Sequence, residues 1–213
     1  MTEFDGFDNL CVLLCTRQVN SVTAPTERAV LIGGSAPKGK VPWGNECPGT
    51  KIEKRLKTSL KIALDKRGYE VLTPVQQEVS KPELDNYDLL VSAQTGSGKT
   101  VGFGIAIAPN LLLDDAGFGR ADAPLGLVIA PTRELAMQVK RELQWLYAEA
   151  GVVMASCVGG MDMRDERRAL ERGAHIIVAT PGRLRDHIMR GSIDLYKSAL
   201  WFWMRRMKCW IWA

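Results

Sequence analysis

Short apolar runs separated by longer stretches of mixed polarity dominate the chain after residue 85. Four runs have the length of buried strands, and each ends in a turn of small or hydroxylated residues: 88–92, 127–130, 152–158 and 175–179. Helices are predicted to start after the first two runs. This order predicts an α/β domain with a parallel sheet flanked by helices, in which the turns share one edge of the sheet.

The upstream part of the chain carries less pattern. Leu56, Leu60 and Leu64 recur at fourfold spacing within the basic stretch 51–67, which predicts a helix packing its leucines inward. Residues 1–55 are rich in Gly, Pro and Ser over much of their length and are predicted to be an irregular N-terminal segment. Two origins stay open for residues 9–50: a disordered insertion, or a segment read out of frame.

A glycine-rich loop follows the first apolar run and opens a helix. Glycines permit close backbone approach, so that N–H groups can point at phosphate oxygens beside the positive end of the helix dipole. Lys99 is predicted to reach the β- and γ-phosphates, and Thr100 to ligate Mg²⁺. A chance glycine-rich turn is the competing interpretation. The predicted nucleotide-binding residues here are Ala93, Gln94, Thr95, Gly96, Ser97, Gly98, Lys99 and Thr100.

A second candidate for nucleotide binding lies upstream, in Thr73-Pro74-Val75-Gln76. The amide of Gln76 offers one acceptor and two donors, which suits the edge of adenine. The segment also has the signature of a helix start, with Thr73 as N-cap and Pro74 in the first turn. The two interpretations are compatible, because the cap would orient Gln76.

The later turns combine backbone N–H groups, hydroxyls and two arginines, which suits a phosphodiester backbone. Any one of them alone is more typical of an ordinary strand–helix turn, but their series after a phosphate loop is more specific. The residues predicted to contact such a backbone are Pro131, Thr132, Arg133, Gly159, Gly160, Thr180, Pro181, Gly182 and Arg183.

Taken together, these motifs resemble the DEAD-box family of ATP-dependent RNA helicases, most closely its bacterial type, over residues 60–200. The resemblance implies a first RecA-like domain that binds ATP and Mg²⁺ and contacts RNA. It implies that Gln76 reads adenine, and that Arg133, Gly160, Thr180 and Arg183 touch the RNA backbone. The family also has an adenine-stacking aromatic residue upstream, where this chain has Ser59.

The acidic Asp-Glu-Ala-Asp motif of that family is absent from the sequence, so no catalytic residue is predicted. Four of the six tryptophans crowd instead into residues 201–213. We shifted the reading frame so that it starts at the third base of the Leu200 codon. In that frame the bases of the Trp203 and Met204 codons encode Asp, and those of Met204 and Arg205 encode Glu or Ala. A frameshift just before Trp201, in the gene or in the sequencing, is therefore predicted, and a coincidental aromatic tail is the competing interpretation. Residues 56–200 become a partial first RecA-like domain, incomplete at its C-terminus, and the chain is expected to turn over little or no ATP.

Composition indicates the number of domains, the possible ligands and the cellular compartment. The 213 residues fit one α/β domain, and the net charge of +4 agrees with RNA binding without proving it. Five cysteines without paired metal spacing are predicted to be free thiols in the cytoplasm. The apolar run near residue 12 is too short for a membrane span, and no obligate protein partner is indicated.

Three other functions stay open beside a truncated RNA helicase. The first is a nucleotide- or RNA-binding remnant without catalysis, which ATP affinity with zero turnover would favour. The second is a DNA-directed helicase, against which the Gln76 motif and the Thr180–Arg183 turn argue. The third is a non-functional product that does not fold.

Overall fold

The computed structural model describes residues 9–16, 29–33, 56–81, 84, 88–94, 96–112, 117–193 and 200–206. These residues form seven strands and six α-helices. In chain order they are β1 (Asn9–Thr16), β2 (Ala29–Gly33), α1 (Thr58–Lys66), α2 (Pro74–Val79), β3 (Asp88–Gln94), α3 (Lys99–Leu111), β4 (Gly126–Ile129), α4 (Arg133–Leu146), β5 (Met154–Cys157), α5 (Met163–Glu171), β6 (Ile176–Ala179), α6 (Pro181–Met189) and β7 (Leu200–Arg206).

The strands form one sheet in the order β2-β3-β1-β7-β4-β6-β5. Strands β7, β4, β6 and β5 run parallel, and β2 is parallel to β3. The predicted α/β class with a parallel sheet and flanking helices is confirmed. The four predicted strands correspond to β3, β4, β5 and β6, with ends shifted by one or two residues.

One strand departs from that plan. β1 lies antiparallel between β3 and β7, pairing Leu10 with Ala93 and with Arg206. Residues 1–55 were predicted to be irregular, yet they contribute both β1 and β2. The physical reason is that backbone N–H and C=O groups in the middle of a sheet require partners. The apolar run near residue 12, which is too short to span a membrane, has the right length for strand β1.

The tail joins the same sheet as strand β7. The structure places β7 next to β4, with Leu127 opposite Trp201, and separates it from β3 by β1. Local pattern does not reveal this order, because strand neighbours are chosen by long-range pairing.

Both faces of the parallel region are buried. In β4, Val128 packs in a cluster with α1, α3 and α4, while Leu127 and Ile129 pack on the opposite face near Ala155 and Leu184. β6 alternates in the same way. Strands buried on both faces read as continuous apolar runs, which is why their sequence pattern was clear. The leucine stripe of α1 is also confirmed, since Leu60 and Leu64 are fully buried.

The amino ends of β5 and β6 are closed by a neutral network around His175. Its Nδ1 accepts a hydrogen bond from the Val153 N–H at 2.9 Å, and its Nε2 donates to the Gly119 carbonyl at 3.0 Å. The ring stacks on Phe118, whose own ring meets Tyr147 edge-on. Burial lowers the pKa of His175, and the bond to Gly119 only partly opposes that shift.

Candidate functional site

The glycine-rich loop joins β3 directly to α3. Ala93 and Gln94 are the last residues of β3, Thr95 lies outside the described residues, and Gly96 follows with a positive φ. Gly98 is left-handed (φ 75°) and caps α3, which is 13 residues long. Left-handed glycines before a long helix leave its first N–H groups and its positive dipole end facing the loop, which suits an anion.

Lys99 is buried at the start of that helix. Its side chain turns back over the loop, with Nζ 3.3 Å from Ser97 Oγ, although only 4% of the residue is exposed. A buried ammonium group beside a turn of backbone donors fits the phosphates of a nucleotide. Thr100 follows in the first turn of α3 and is half-buried. Among the described residues, no cluster of three His, Cys, Asp or Glu suits a metal ion.

Gln76 braces the same loop. It is fully buried, with Nε2 donating to Gly98 O at 3.1 Å and Oε1 accepting from the Thr73 N–H at 2.9 Å. Thr73 Oγ1 donates in turn to Ser97 O at 3.0 Å. The predicted N-cap is confirmed, and Pro74 opens α2. Adenine recognition by Gln76 stays a prediction, because its amide here contacts the loop itself.

The position of Gly98 depends on this brace. A Cβ atom at residue 98 would lie 2.5 Å from Gln76 Nε2 and 3.5 Å from a methyl carbon of Thr73. The close approach and the left-handed φ therefore both require glycine. The upstream motif and the glycine-rich loop form one packed unit, although the residues in contact are 22 and 24 positions apart in the sequence.

The other predicted residues gather at the carboxyl ends of β4, β6 and β5, which are adjacent in the sheet. Helices α4, α5 and α6 begin at this edge. Thr132 caps α4 by accepting from the Leu135 N–H at 3.3 Å, and Asp162 caps α5 by accepting from the Arg164 N–H at 2.8 Å. Thr180 is half-buried, and the exposed members of the set are Pro131, Thr132, Arg133, Gly159, Gly160, Pro181 and Gly182.

Arg133 links two of these turns. Its Nη1 lies 3.3 Å from Gly160 O and 3.5 Å from Gly159 O, while the residue itself is exposed. Gly160 is left-handed (φ 82°), and a Cβ there would lie 2.6 Å from Arg133 Nη1. The guanidinium group and the glycine pair therefore form one exposed cationic surface.

Arg183 behaves differently from Arg133. Its side chain is only 16% exposed and turns inward, with Nε 2.9 Å from Glu166 Oε2. Its Nη2 donates to the carbonyl of Met161. The structure thus brings Arg183 to the predicted edge but points its guanidinium group at the protein. Sequence reasoning missed Glu166, because an acid in a helix as polar as α5 looks like any solvated charge.

Cys157 is the last residue of β5 and lies beneath these turns. It is a buried free thiol, and its pKa is raised to about 12 by burial first and by the nearby charge of Glu166 second. The thiol is therefore neutral and a poor nucleophile at physiological pH. The other four cysteines lie in parts of the chain where no side chain is described. None of the helices in the described parts has the length and apolar character needed to cross a membrane.

Comparison with known proteins gives a consistent result. The sequence model for "DEAD/DEAH box helicase" matches residues 73–206. The chain is 41% identical over 133 residues to the DEAD-box ATP-dependent RNA helicase CshA of Geobacillus kaustophilus, covering 62% of this chain and 27% of that protein. It is 42% identical over 143 residues to the chloroplastic DEAD-box ATP-dependent RNA helicase 3B of Zea mays, covering 66% and 19%. The chain thus spans about a quarter or less of these relatives' length.

Solved structures agree with the sequence matches. A DEAD box protein from Methanococcus jannaschii superposes with a TM-score of 0.57 at 31% identity, covering 68% of this chain and 38% of that one. The yeast DEAD-box splicing factor Prp28 superposes with a TM-score of 0.59 at 26% identity, covering 72% and 38%. The predicted RecA-like fold is confirmed by these neighbours.

Proposed function

Because the chain belongs to the DEAD/DEAH box helicase family, we propose that its α/β domain binds ATP at the loop before α3 and RNA across the turns that follow β4, β5 and β6. The domain corresponds to the first RecA-like domain of an ATP-dependent RNA helicase and acts in the cytoplasm. The single observation that carries the proposal is the buried Lys99 beside left-handed Gly98 at the start of a 13-residue helix.

The nucleotide half of the proposal follows from that loop. Lys99 and the N–H groups of the loop hold the phosphates, and Gln76 keeps the loop in shape through Gly98 O. Among the described residues, Thr100 is the candidate protein ligand for Mg²⁺. Water molecules and phosphate oxygens usually supply the other ligands of this ion. Bound ATP supplies the phosphoanhydride bond whose hydrolysis is linked to RNA remodelling in the family.

The RNA half is supported by the shared edge of three strands. Three helix N-termini, the exposed Arg133 and the hydroxyls of Thr132 and Thr180 offer donors to consecutive phosphates. None of these contacts reads a base, so the domain is proposed to bind single strands with little sequence preference. We propose RNA and not DNA as the ligand, because the Gln76 motif and the Thr180–Arg183 turn resemble those of RNA helicases.

Catalysis is proposed to be weak. Strand β7, within the matched region, carries no Asp or Glu in its sequence, whereas the family places carboxylates for Mg²⁺ and water in its acidic motif. Loss of one electrostatic stabiliser typically costs about 10²–10³ in rate. We therefore expect RNA-stimulated ATP hydrolysis near background. Hydrolysis at rates typical of helicases would contradict this expectation.

The frameshift hypothesis has its own test. Sequencing the nucleotides around the Leu200 codon shows directly whether the alternate frame encodes Asp and Glu. If it does, a chain translated in that frame from residue 201 should hydrolyse ATP faster than the present chain. A message without those codons would refute the hypothesis.

Binding measurements with two variants test the proposed function directly. Lys99→Ala should weaken ATP binding about tenfold or more, because hydrogen bonds to charged groups contribute about 1.5–3 kcal/mol each. Arg133→Ala should weaken RNA binding and leave ATP binding unchanged. Titration of a fluorescent ATP analogue and of a labelled single-stranded RNA measures both affinities.

Lys66→Ala is the matched control for these variants. Lys66 is the last residue of α1, is exposed and pairs with Glu149 beyond α4, so both affinities should stay close to those of the parent chain. If Lys99→Ala bound ATP as tightly as Lys66→Ala, the loop would not be the nucleotide site.

A further inference from the structure

Glu166 is the single carboxylate that is buried among the described residues. It lies in the first turn of α5 with 3% of its surface exposed, while its neighbours Asp165 and Arg167 face solvent. Removing a carboxylate from water is unfavourable unless charged or hydrogen-bonding partners compensate. Its partners therefore indicate what the burial achieves.

Three groups, one at the end of β5 and two on α6, converge on this carboxylate. Oε1 accepts a hydrogen bond from the Val158 N–H at 2.9 Å. Oε2 lies 2.9 Å from Arg183 Nε and 2.9 Å from His187 Nε2. Since a carboxylate only accepts hydrogen bonds, Nε2 of His187 carries the proton in this contact. Glu166 thus joins the end of β5 to two successive turns of α6.

These partners are parts of the proposed RNA surface or directly adjoin it. Val158 immediately precedes Gly159 and Gly160, and Arg183 ends the turn that starts at Thr180. Arg183 also donates to Met161 O, on the far side of the glycine pair. The turn 159–162 is therefore contacted at Met161 by Arg183 and at its two glycines by Arg133, while Glu166 anchors Val158 directly before it.

We propose that Glu166 is a positioning residue for RNA binding, which fixes the glycine turn after β5 and the first turn of α6 at one spacing. This proposal rests on the proposed RNA-binding function and deepens it. Glu166 itself is buried and touches no RNA. It acts by directing the Arg183 side chain into the protein. The N–H groups at the start of α6 and the two glycines, whose carbonyl groups contact Arg133, then stay where consecutive phosphates would bind.

The sign of the effect separates this role from simple electrostatics. Removing an exposed acid from a protein that binds RNA reduces repulsion and leaves affinity unchanged or slightly higher. Removing the charge of Glu166 should instead lower affinity, because the two turns lose their shared anchor. Glu171 lies on the same helix and is exposed, paired only with Arg167 at 2.7 Å, and so provides the matched control.

The experiment compares Glu166→Gln and Glu171→Gln in the full chain. The probes are a labelled ten-nucleotide single-stranded RNA and a fluorescent ATP analogue. Groups that act through others typically change affinity by roughly 2–30-fold. Glu166→Gln should therefore weaken RNA binding by that factor and leave ATP binding unchanged, and Glu171→Gln should weaken neither.

A merely structural role predicts a different pattern. If Glu166→Gln lowered the melting temperature and weakened ATP and RNA binding by equal factors, the positioning role would be refuted. Unchanged RNA affinity in Glu166→Gln would refute it as well. Because Gln keeps one acceptor for the Val158 N–H, Glu166→Gln should bind RNA better than Glu166→Ala, and equal weakening in the two variants would contradict the role of that contact.

Amide hydrogen exchange of residues 158–163, measured without any ligand, separates this proposal from the proposed function. Faster exchange in Glu166→Gln than in Glu171→Gln is expected, since the Val158 N–H loses a charged acceptor. If the parent chain bound no RNA, the proposed function would be refuted, and the role of Glu166 in RNA binding with it. An exchange difference in the same chain would still support the contact between Glu166 and the Val158 N–H. Equal exchange would overturn the anchoring contact itself.

Discussion

The amino ends and the carboxyl ends of strands β5 and β6 differ in the polarity and the exposure of their side chains. At the amino ends, the buried His175 and Tyr147 and the partly buried Phe118 form a neutral network. At the carboxyl ends, helix starts and Arg133 are exposed, and the buried group beneath them is the charged Glu166. One end is closed against water, and the other keeps polar groups available.

The difference separates the end of the sheet that contributes packing from the end that is proposed to bind RNA. Neutral hydrogen bonds and stacked rings at the amino end need no counter-charge and add to cohesion of the core. A surface that binds an anion needs donors held in place without partners of their own. At the carboxyl end this is achieved by placing the compensating carboxylate one layer below the surface.

Glycines before and after β6 offer the largest test of this contrast. Gly173 has φ 91°, and a Cβ there would lie 1.9 Å from Ala121 O, whereas a Cβ at Gly182 would meet nothing within 4 Å. Gly173→Ala should lower the free energy of unfolding by about 3 kcal/mol, from a strained φ and overpacking together. Gly182→Ala should change it by less than about 0.5 kcal/mol. Urea unfolding measures both, and equal losses would break the contrast.

A smaller effect is expected at Tyr147, which belongs to the closed end. Its buried hydroxyl donates to Gly104 O at 2.6 Å, and burial raises its pKa. Tyr147→Phe should lower the free energy of unfolding by about 1–3 kcal/mol, because a buried carbonyl loses its side-chain donor. Affinities for ATP and RNA should not change.

Tyr69→Phe is the matched control for that variant. Tyr69 stacks on Trp145 with ring centroids 5.9 Å apart, and its hydroxyl bonds to none of the described residues. The control should keep its ring contacts and its stability. Loss of RNA affinity in Tyr147→Phe, with Tyr69→Phe unaffected, would mean that the two ends of the sheet are coupled.

The smallest expected effect is a pH dependence from His175. Burial lowers its pKa from the ordinary value of 6.5, so the unfolded chain binds this proton more readily than the folded protein. The stabilisation is complete above pH 6.5 and is lost progressively as the pH falls below that value, because a protonated Nδ1 cannot accept from the Val153 N–H.

Unfolding by urea at a series of pH values between about 5 and 8 measures this dependence. His175→Gln is the reference, since Gln keeps an acceptor and a donor but does not titrate. The difference between the two chains should shrink or reverse as the pH falls. A difference that is constant with pH would show that His175 does not change its charge there.

The elements built from local pattern were predictable. The strand runs of β3 to β6, the cap at Thr73 and the leucine stripe of α1 all depend on residues close together in the sequence. The loop before α3 was also readable, because its glycines and Lys99 must be contiguous to wrap one anion. The family followed from the order of these short motifs.

Contacts between distant residues were decided by the tertiary structure. The place of β1 between β3 and β7 is set by pairing across the whole chain, the contact of Gln76 with Gly98 by the packing of α2 on the loop, and the burial of Glu166 by the approach of α6 to α5. A sequence shows which residues are suited to bind. Whether a side chain such as Arg133 or Arg183 faces solvent or the protein depends on where an opposite charge lies after folding.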